Sequence, residues 1–283
     1  MRTFAIRCVV LGLAAVFGGS AYGSLIGTDW VTSGNSHLYN INPVARTATL
    51  IGSTGQPAMI GLVVDTTSTI YTVSEEGNSG LWTLNSSTGA ATLVGRLGFN
   101  LQEGDMTIDP ITGAVYVADG AGDKLYTVNK TTGAATLIGS FGAAGRDVSG
   151  MQFFNGTLYG LALNDSNPDT LVTINPTTGL ATTIGATGTN FGVIAAMGRD
   201  PSNGVVYIAG PTTTFGSDNT IWTLNLTTGV ASNTGALTGV LASISGFSVA
   251  GNPLILGTPE PTTLSLLGLG LLGTAILKLR KRT

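Results

Sequence analysis

An all-β fold, a β-propeller of four-stranded blades, is what this sequence predicts. Three observations lead there. One segment recurs five times along the chain, each copy reads as strand–turn–strand, and a second hairpin lies between the copies.

The recurring segments are LYNINPVARTATLIGSTG from Leu38, LWTLNSSTGAATLVGRLG from Leu81, LYTVNKTTGAATLIGSFG from Leu125, LVTINPTTGLATTIGATG from Leu171 and IWTLNLTTGVASNTGALTG from Ile221. They start roughly 43 to 50 residues apart, the period of propeller blades. In each, alternation such as Leu125 and Thr127 against Tyr126 and Val128 gives the period-two signature of a strand. Thr-Thr-Gly supplies the turn, with glycine where a positive φ is required. The intervening hairpins read GLVVDTTSTIYTVS from Gly61, DMTIDPITGAVYVA from Asp105, GMQFFNGTLYGLA from Gly150 and AAMGRDPSNGVVYIA from Ala195. Asp-Pro-x-x-Gly is turn chemistry, so Asp109 and Asp200 are turn-formers first. Each unit thus has strands A, B, C and D in chain order. A is the most apolar, as in Leu62-Val63-Val64 and Val193–Met197, and belongs nearest the axis.

The blade count follows from the two ends of the repeat region. SLIGTDWVTSGNSHLYNINP from Ser24 aligns without gaps on TLYGLALNDSNPDTLVTINP from Thr157, so the exported chain starts at a B strand. ISGFSVAGNPLILGT from Ile244 supplies an A strand, with Leu254–Leu256 surplus. A terminal A strand joining an initial B-C-D set gives five blades and leaves no long open edge at the junction. Six incomplete blades or an open array would use the same repeats. The propeller is expected over residues 24–257.

Composition narrows the function. The chain has 283 residues, 42 of them glycine, and only 10% are charged. The formal net charge is −3, and Arg2, Arg7, Lys278, Arg280, Lys281 and Arg282 all sit near the termini, so no basic footprint for nucleic acid lies in the body. Cys8 is the only cysteine and precedes the repeats, which excludes disulfides and cysteine metal sites from the domain.

Residues 1–23 read as a signal peptide. Arg2 and Arg7 form a charged start, Cys8 to Phe17 an apolar stretch, and Ala21-Tyr22-Gly23 a small-residue cleavage site. Export by the Sec machinery and cleavage by signal peptidase before Ser24 are expected. At the other end, residues 258–283 place Pro259-Glu260-Pro261 before an apolar run from Leu264 to Leu277 and the basic cluster Lys278, Arg280, Lys281 and Arg282. As a helix the run is about 21 Å long, against about 30 Å of hydrocarbon, and the flanking cations extend it and stay on the cytoplasmic side. That is transient inner-membrane anchoring with the domain outside.

This order of Pro-Glu-Pro, apolar helix and basic cluster resembles the PEP-CTERM sorting signal of Gram-negative bacteria, with Thr258 where valine is frequent. The resemblance implies recognition by an exosortase, a membrane-embedded cysteine transpeptidase-like enzyme. It also implies removal of the helix near Pro259-Glu260-Pro261 and passage from a membrane-tethered precursor to the cell surface or exopolysaccharide matrix. The repeats are similar to NPxTGxxTxIG units of other PEP-CTERM propellers.

Chemistry is sparse. His37 is the only histidine and reads as a solvated loop residue. Glu103, Asp105 and Asp147, with Arg146, fall at D-to-A connections, which rim a propeller's central channel. Some five-bladed glycosidases place a trio of acids there, a likeness of place and not of motif. The bland reading is a solvated rim or an Arg146–acid pair. DGAGDK from Asp119 and NDSNPD from Asn164 carry oxygen ligands that suit calcium, and Glu75-Glu76 is a similar loop. None matches a calcium motif, ordinary B-to-C loops explain them, and neither a metal nor another cofactor is expected. Tyr39, Trp82, Tyr126 and Trp222 share one position in strand C, where packing between blades is the simple explanation. The expectation is an exported, non-enzymatic binding or structural module, with exopolysaccharide as its candidate ligand. An extracellular propeller hydrolase using Glu103, Asp105 and Asp147 is the alternative.

Overall fold

A computed structural model describes residues 25–249, apart from 76, 78, 165–167, 193–194, 201–202 and 212–218 and the side chain of 249. The leader, the surplus strand and the sorting signal lie outside the described residues, as do Glu76 and part of the Asn164 loop.

Twenty strands form five four-stranded antiparallel sheets. The chain opens with β1 (Leu25–Asp29), β2 (His37–Asn42) and β3 (Thr47–Ser53). Three complete blades follow: β4 (Met59–Val64), β5 (Ile70–Ser74), β6 (Gly80–Leu84) and β7 (Ala91–Arg96); β8 (Met106–Ile108), β9 (Val115–Asp119), β10 (Lys124–Val128) and β11 (Ala135–Ser140); β12 (Val148–Phe154), β13 (Thr157–Ala162), β14 (Thr170–Ile174) and β15 (Ala181–Ala186). A further complete blade has β16 (Ala196–Arg199), β17 (Val206–Gly210), β18 (Thr220–Leu224) and β19 (Ala231–Ala236). The last strand, β20 (Ile244–Val249), pairs with β1, so the first sheet has the order β20-β1-β2-β3. The ring closes as five blades, with the C-terminal strand supplying the inner strand of the first. Among the described residues the one helical turn is Ala143–Gly145.

Among the described residues the apolar core is divided rather than central. Five apolar clusters each fill the wedge between two consecutive blades. Leu38 of the first blade shares a cluster with Leu62 and Val64, Leu81 with Val117, Leu125 with Met151, Leu171 with Ile208, and Ile221 with Tyr39 back on the first blade. The inner strand β4 is buried along its whole length, whereas the outer strands β3, β7, β11 and β19 alternate in a half-exposed pattern. That contrast follows from position, since an inner strand has neighbours on every side and an outer one has water along its free edge.

One turn is repeated around the ring. Asn42, Asn85, Asn129, Asn175 and Asn225 each accept the backbone N–H groups two and three residues on through Oδ1, at 2.8–3.1 Å. This Asx geometry is why an asparagine stands at or just past the end of every C strand. Asn85, Asn129 and Asn225, each followed by x-Ser or x-Thr as in a glycosylation sequon, thereby have a structural role. The turn closes on a left-handed glycine in four blades, such as Gly133 at φ 75°, and on Arg46 at φ 56° in the first.

Backbone hydrogen bonds then latch each blade to the next. Ala91 donates to Thr54 O, Ala135 to Leu97 O, Ala181 to Phe141 O and Ala231 to Thr187 O, at 2.9–3.0 Å. Ala48 donates to Thr238 O at 2.8 Å and Thr238 back to Arg46 O at 3.0 Å, the equivalent latch where the last blade meets the first.

Candidate functional site

Each blade directs its B-to-C and D-to-A loops to one face. What holds those loops explains most of the carboxylates found there. The residue just before every C strand is short and polar: Ser36, Ser79, Asp123, Asp169 and Asn219. Each accepts a backbone N–H from the loop leading to the next inner strand or from that strand's first residue, from Met59 (3.2 Å), Leu101 (2.9 Å), Asp147 (2.8 Å), Phe191 (2.7 Å) and Ile244 (2.7 Å) respectively. Asp123 and Asp169, acids of the two loops that suggested calcium, are therefore loop bolts. Among the described residues no group of three or more His, Cys, Asp or Glu side chains is placed to hold a metal ion.

Glu103 and Asp147 take left-handed conformations, φ 55° and 54°, and Ala58 shares the geometry at φ 50°. Their carbonyls accept the N–H groups of Gly120, Leu163 and Glu75, each just past the end of a B strand. The unusual backbone is thus a repeated entry into an inner strand. Two consecutive blades bring Glu103 and Asp147 to either side of Gly120. A methyl carbon placed on Gly120 would lie 3.4 Å from Glu103 Cβ and 2.8 Å from Asp147 Oδ1. Arg146 is exposed beside them.

Asp105 lies deeper than these, 1% exposed. Its Oδ1 accepts Met106 N–H at 2.7 Å and Oδ2 accepts Met151 N–H at 2.8 Å, and the Met197 N–H also bonds to it. One side chain therefore ties together the inner strands of three blades. The reason lies in the register. Asp105 precedes Met106, which pairs with the residue after Tyr116. In the other blades the same place holds Gly61, Gly150, Ala196 and Gly246. Gly61 leaves no room for more, because a Cβ there would come within 2.9 Å of Asp105 Oδ1 and 2.5 Å of Met106 N. Four small residues leave a gap at the axis and one carboxyl fills it. Burial pushes the Asp105 carboxyl well above the usual carboxylate range, and the N–H groups of Met151, Met106 and Met197 only partly counter it.

Two further carboxylates stand on this face. Glu75, 8% exposed, accepts the Trp30 indole N–H at 2.7 Å and the Glu103 N–H at 2.5 Å. Asp119, 6% exposed, accepts from Gln102 N–H at 3.4 Å, and burial raises its carboxyl pKa. Tyr126, pushed up by burial and then by the charge of Asp119, stacks on Phe99 at 4.1 Å.

His37 is the first residue of β2 rather than part of a loop. Its backbone N–H and Nδ1 both meet the carboxylate of Asp29, which is fully buried, and the Tyr39 hydroxyl donates to Asp29 at 2.8 Å. Nothing in the spacing of Asp29, His37 and Tyr39 announced this cluster, because it joins a strand end to the next strand across a loop. Burial, then Asp29, drives the Tyr39 phenol far above its ordinary range. The strand-C aromatics serve packing: Trp82 donates to Ser74 Oγ at 3.0 Å and Trp222 meets Phe191 edge-on.

The sorting residues Pro259, Glu260, Pro261, Lys278, Arg280, Lys281 and Arg282 fall outside the described residues. No helix among the described residues is long and apolar enough to cross a membrane. Residues 258–282 match the PEP-CTERM protein-sorting motif. No curated protein matches the chain. Among solved structures, a chain of a nidogen/laminin complex is similar at 11% identity and a TM-score of 0.54, covering 81% of this chain and 98% of that one. TolB from Acinetobacter baumannii aligns at 11% identity and a TM-score of 0.48, covering 81% of this chain and 58% of that one. At such identity the nidogen/laminin likeness concerns fold alone. The motif implies exosortase processing and export to the cell envelope or surface. The chain is thus a five-bladed β-propeller carrying a PEP-CTERM protein-sorting motif.

Proposed function

We propose that this protein is an exosortase-processed surface or exopolysaccharide-matrix component whose propeller is a non-enzymatic binding or structural module. The observation that carries the reading is the combination of the sorting motif with a loop face whose acids are engaged by backbone. Asp105 is buried against three backbone N–H groups, and Asp123 and Asp169 bolt loops. A glycosidase pair needs two carboxyls flanking a bond in an accessible cleft. The exposed Arg146 and the half-buried Glu103 and Asp147 beside it are the candidate contacts of this face to a neutral, hydroxyl-rich polymer. Sec export, signal-peptidase cleavage and a membrane-tethered precursor belong to the same proposal.

The test is binding of the processed protein to exopolysaccharide from its own producing cells, by sedimentation over a range of polymer concentrations. Saturable binding that weakens in Glu103→Gln/Asp147→Asn, with no new reducing ends released, is expected. Release of reducing ends, abolished in that variant, would replace this reading with a hydrolase. No saturable binding would leave a purely structural matrix protein.

A further inference from the structure

We propose that Asn155 is a site of spontaneous covalent modification. Its side-chain amide is lost by cyclisation onto the backbone nitrogen of Gly156, and the turn at the end of an inner strand becomes acidic. The chain contains two Asn-Gly pairs, Asn155-Gly156 and Asn203-Gly204. A glycine after asparagine is the least hindered case, because no Cβ shields its nitrogen. Both pairs lie in A-to-B turns, one between β12 and β13 and one between β16 and β17, and both asparagines are exposed. By sequence and exposure the two are alike.

Their turns hold them differently. Asn203 is fastened through its side chain. Its Nδ2 donates to Asp200 Oδ2 at 3.1 Å and to the Tyr207 hydroxyl at 3.4 Å, and its Oδ1 accepts the Val205 N–H at 2.8 Å. The Gly204 N–H, whose nitrogen would have to attack, donates to Asp200 O at 2.8 Å. Asp200 is fully buried, so this anchor is fixed. Asn155 and Gly156 are instead the two loop residues of a tight hairpin closed by the Phe154–Thr157 pair, at φ 48° and 78°. In such a turn the flanking residues make the ladder bonds and the loop N–H groups are left to water. Among the described residues neither the Asn155 amide nor the Gly156 N–H has a hydrogen-bond partner. A Cβ placed on Gly156 would meet nothing within 4 Å, so the tip has room to turn.

Water is the only co-reactant. The Gly156 nitrogen gives its proton to solvent and attacks Asn155 Cγ. The Cγ–Nδ2 bond breaks, and Nδ2 leaves as ammonia after taking a proton from solvent. A five-membered imide remains, in which the Gly156 nitrogen joins Cγ to the main-chain carbonyl carbon of Asn155. Water then opens the ring. Attack at Cγ gives aspartate, and attack at the main-chain carbonyl gives isoaspartate, whose backbone runs through Cβ. Nothing is oxidised or reduced. For the first attack Asn155 must rotate out of its turn, which disturbs only the Phe154–Thr157 end of the hairpin. Asp-Gly suits this turn as Asn-Gly does, so the aspartate product keeps the hairpin. The new carboxylate directly follows Phe154, over whose ring the Arg199 guanidinium lies at 4.6 Å. At Asn203 at least two further hydrogen bonds must open first, each worth roughly a factor of five, so Asn155 should react at least about tenfold faster.

The experiment needs no variant that has to fold. The full chain is incubated in mildly alkaline buffer with detergent, once folded and once unfolded in guanidinium chloride, and sampled over time by peptide mapping with mass spectrometry. A synthetic peptide carrying Asn155→Asp marks the elution of the aspartate product, and an isoaspartate methyltransferase labels the other. In the folded protein, conversion at Asn155 at least about tenfold faster than at Asn203 is expected, with similar rates at the two sites in the unfolded chain. Equal rates in the folded protein, or faster conversion at Asn203, would overturn the assignment. So would a folded Asn155 that stays intact while the unfolded chain converts, because the hairpin would then protect the site.

Discussion

Replacing Asp105 tests the architecture at its most crowded point. In Asp105→Ala the N–H groups of Met151 and Met197 lose their acceptor inside a closed ring, because each belongs to a different blade from Asp105. A buried donor left without a partner costs about 1–3 kcal/mol, so the pair predicts a loss of about 2–6 kcal/mol. Against a total of about 5–15 kcal/mol for a domain, that is a large fraction. The assay is urea unfolding followed by the fluorescence of Trp30, Trp82 and Trp222. The carboxyl also carries a signed pH dependence. Its folded pKa is raised, so its contribution is complete below the unfolded value of about 3.9 and is lost as pH rises through the folded value. The stability of wild type relative to the non-titrating Asp105→Asn must therefore fall as pH increases above about 4. Asp119 shifts in the same direction and remains in both proteins, so the comparison cancels it. A loss below about 0.5 kcal/mol in Asp105→Ala, or a relative stability that grows with pH, would refute the reasoning.

Other consequences are equally direct. Gly133→Ala combines φ 75° with a Cβ within 2.5 Å of the Gly95 backbone on the preceding blade, whereas Gly98→Ala has φ 87° and open space. Thermal unfolding should show a cost of about 1 kcal/mol for Gly98→Ala and about 1–3 kcal/mol more for Gly133→Ala; equal costs would contradict the inter-blade contact. In Asp29→Asn the Tyr39 phenol should titrate closer to its ordinary value, read by ultraviolet difference spectra, because the Asp29 charge that helps raise it is gone and an amide oxygen is a weaker acceptor than a carboxylate. Burial works upward on Asp65, but the Thr67 hydroxyl, the N–H groups of Thr69 and Thr67, and Lys130 together hold its carboxyl below the usual value. Its contribution is thus present above about pH 4 and lost as pH falls further, and Lys130→Met should shrink that acid-sensitive part of the stability.

The repeat made the fold legible. Five strand–turn–strand segments, and a gapless match between Ser24 and Thr157, were enough to place β20 beside β1 and to close the ring. Position within a blade was legible too, because inner strands such as Met59–Val64 carry apolar side chains on both faces. The depth of Asp105 was not read. Its signal was present in Gly61, Gly150, Ala196 and Gly246 at the same place, since four residues without bulk mark a site with no room for it. The loop bolts were harder to see because serine, aspartate and asparagine substitute for one another as acceptors of a single N–H. Ser36 and Asp123 share a geometry but not a residue type, so the acids among them drew attention as chemistry. The Asp29–His37–Tyr39 cluster depends on how a loop folds back, which no periodicity encodes.

Export and processing carry the whole functional account, and intact mass spectrometry reaches them most directly. Protein would be recovered from the cell envelope and the medium for wild type and for a variant with Pro259, Glu260 and Pro261 changed to alanine. The account predicts that wild-type molecules in the medium start near Ser24 and lack the segment after Pro-Glu-Pro, and that the variant keeps its tail and stays with the envelope. An intact C-terminus through Thr283 on every wild-type molecule would contradict it.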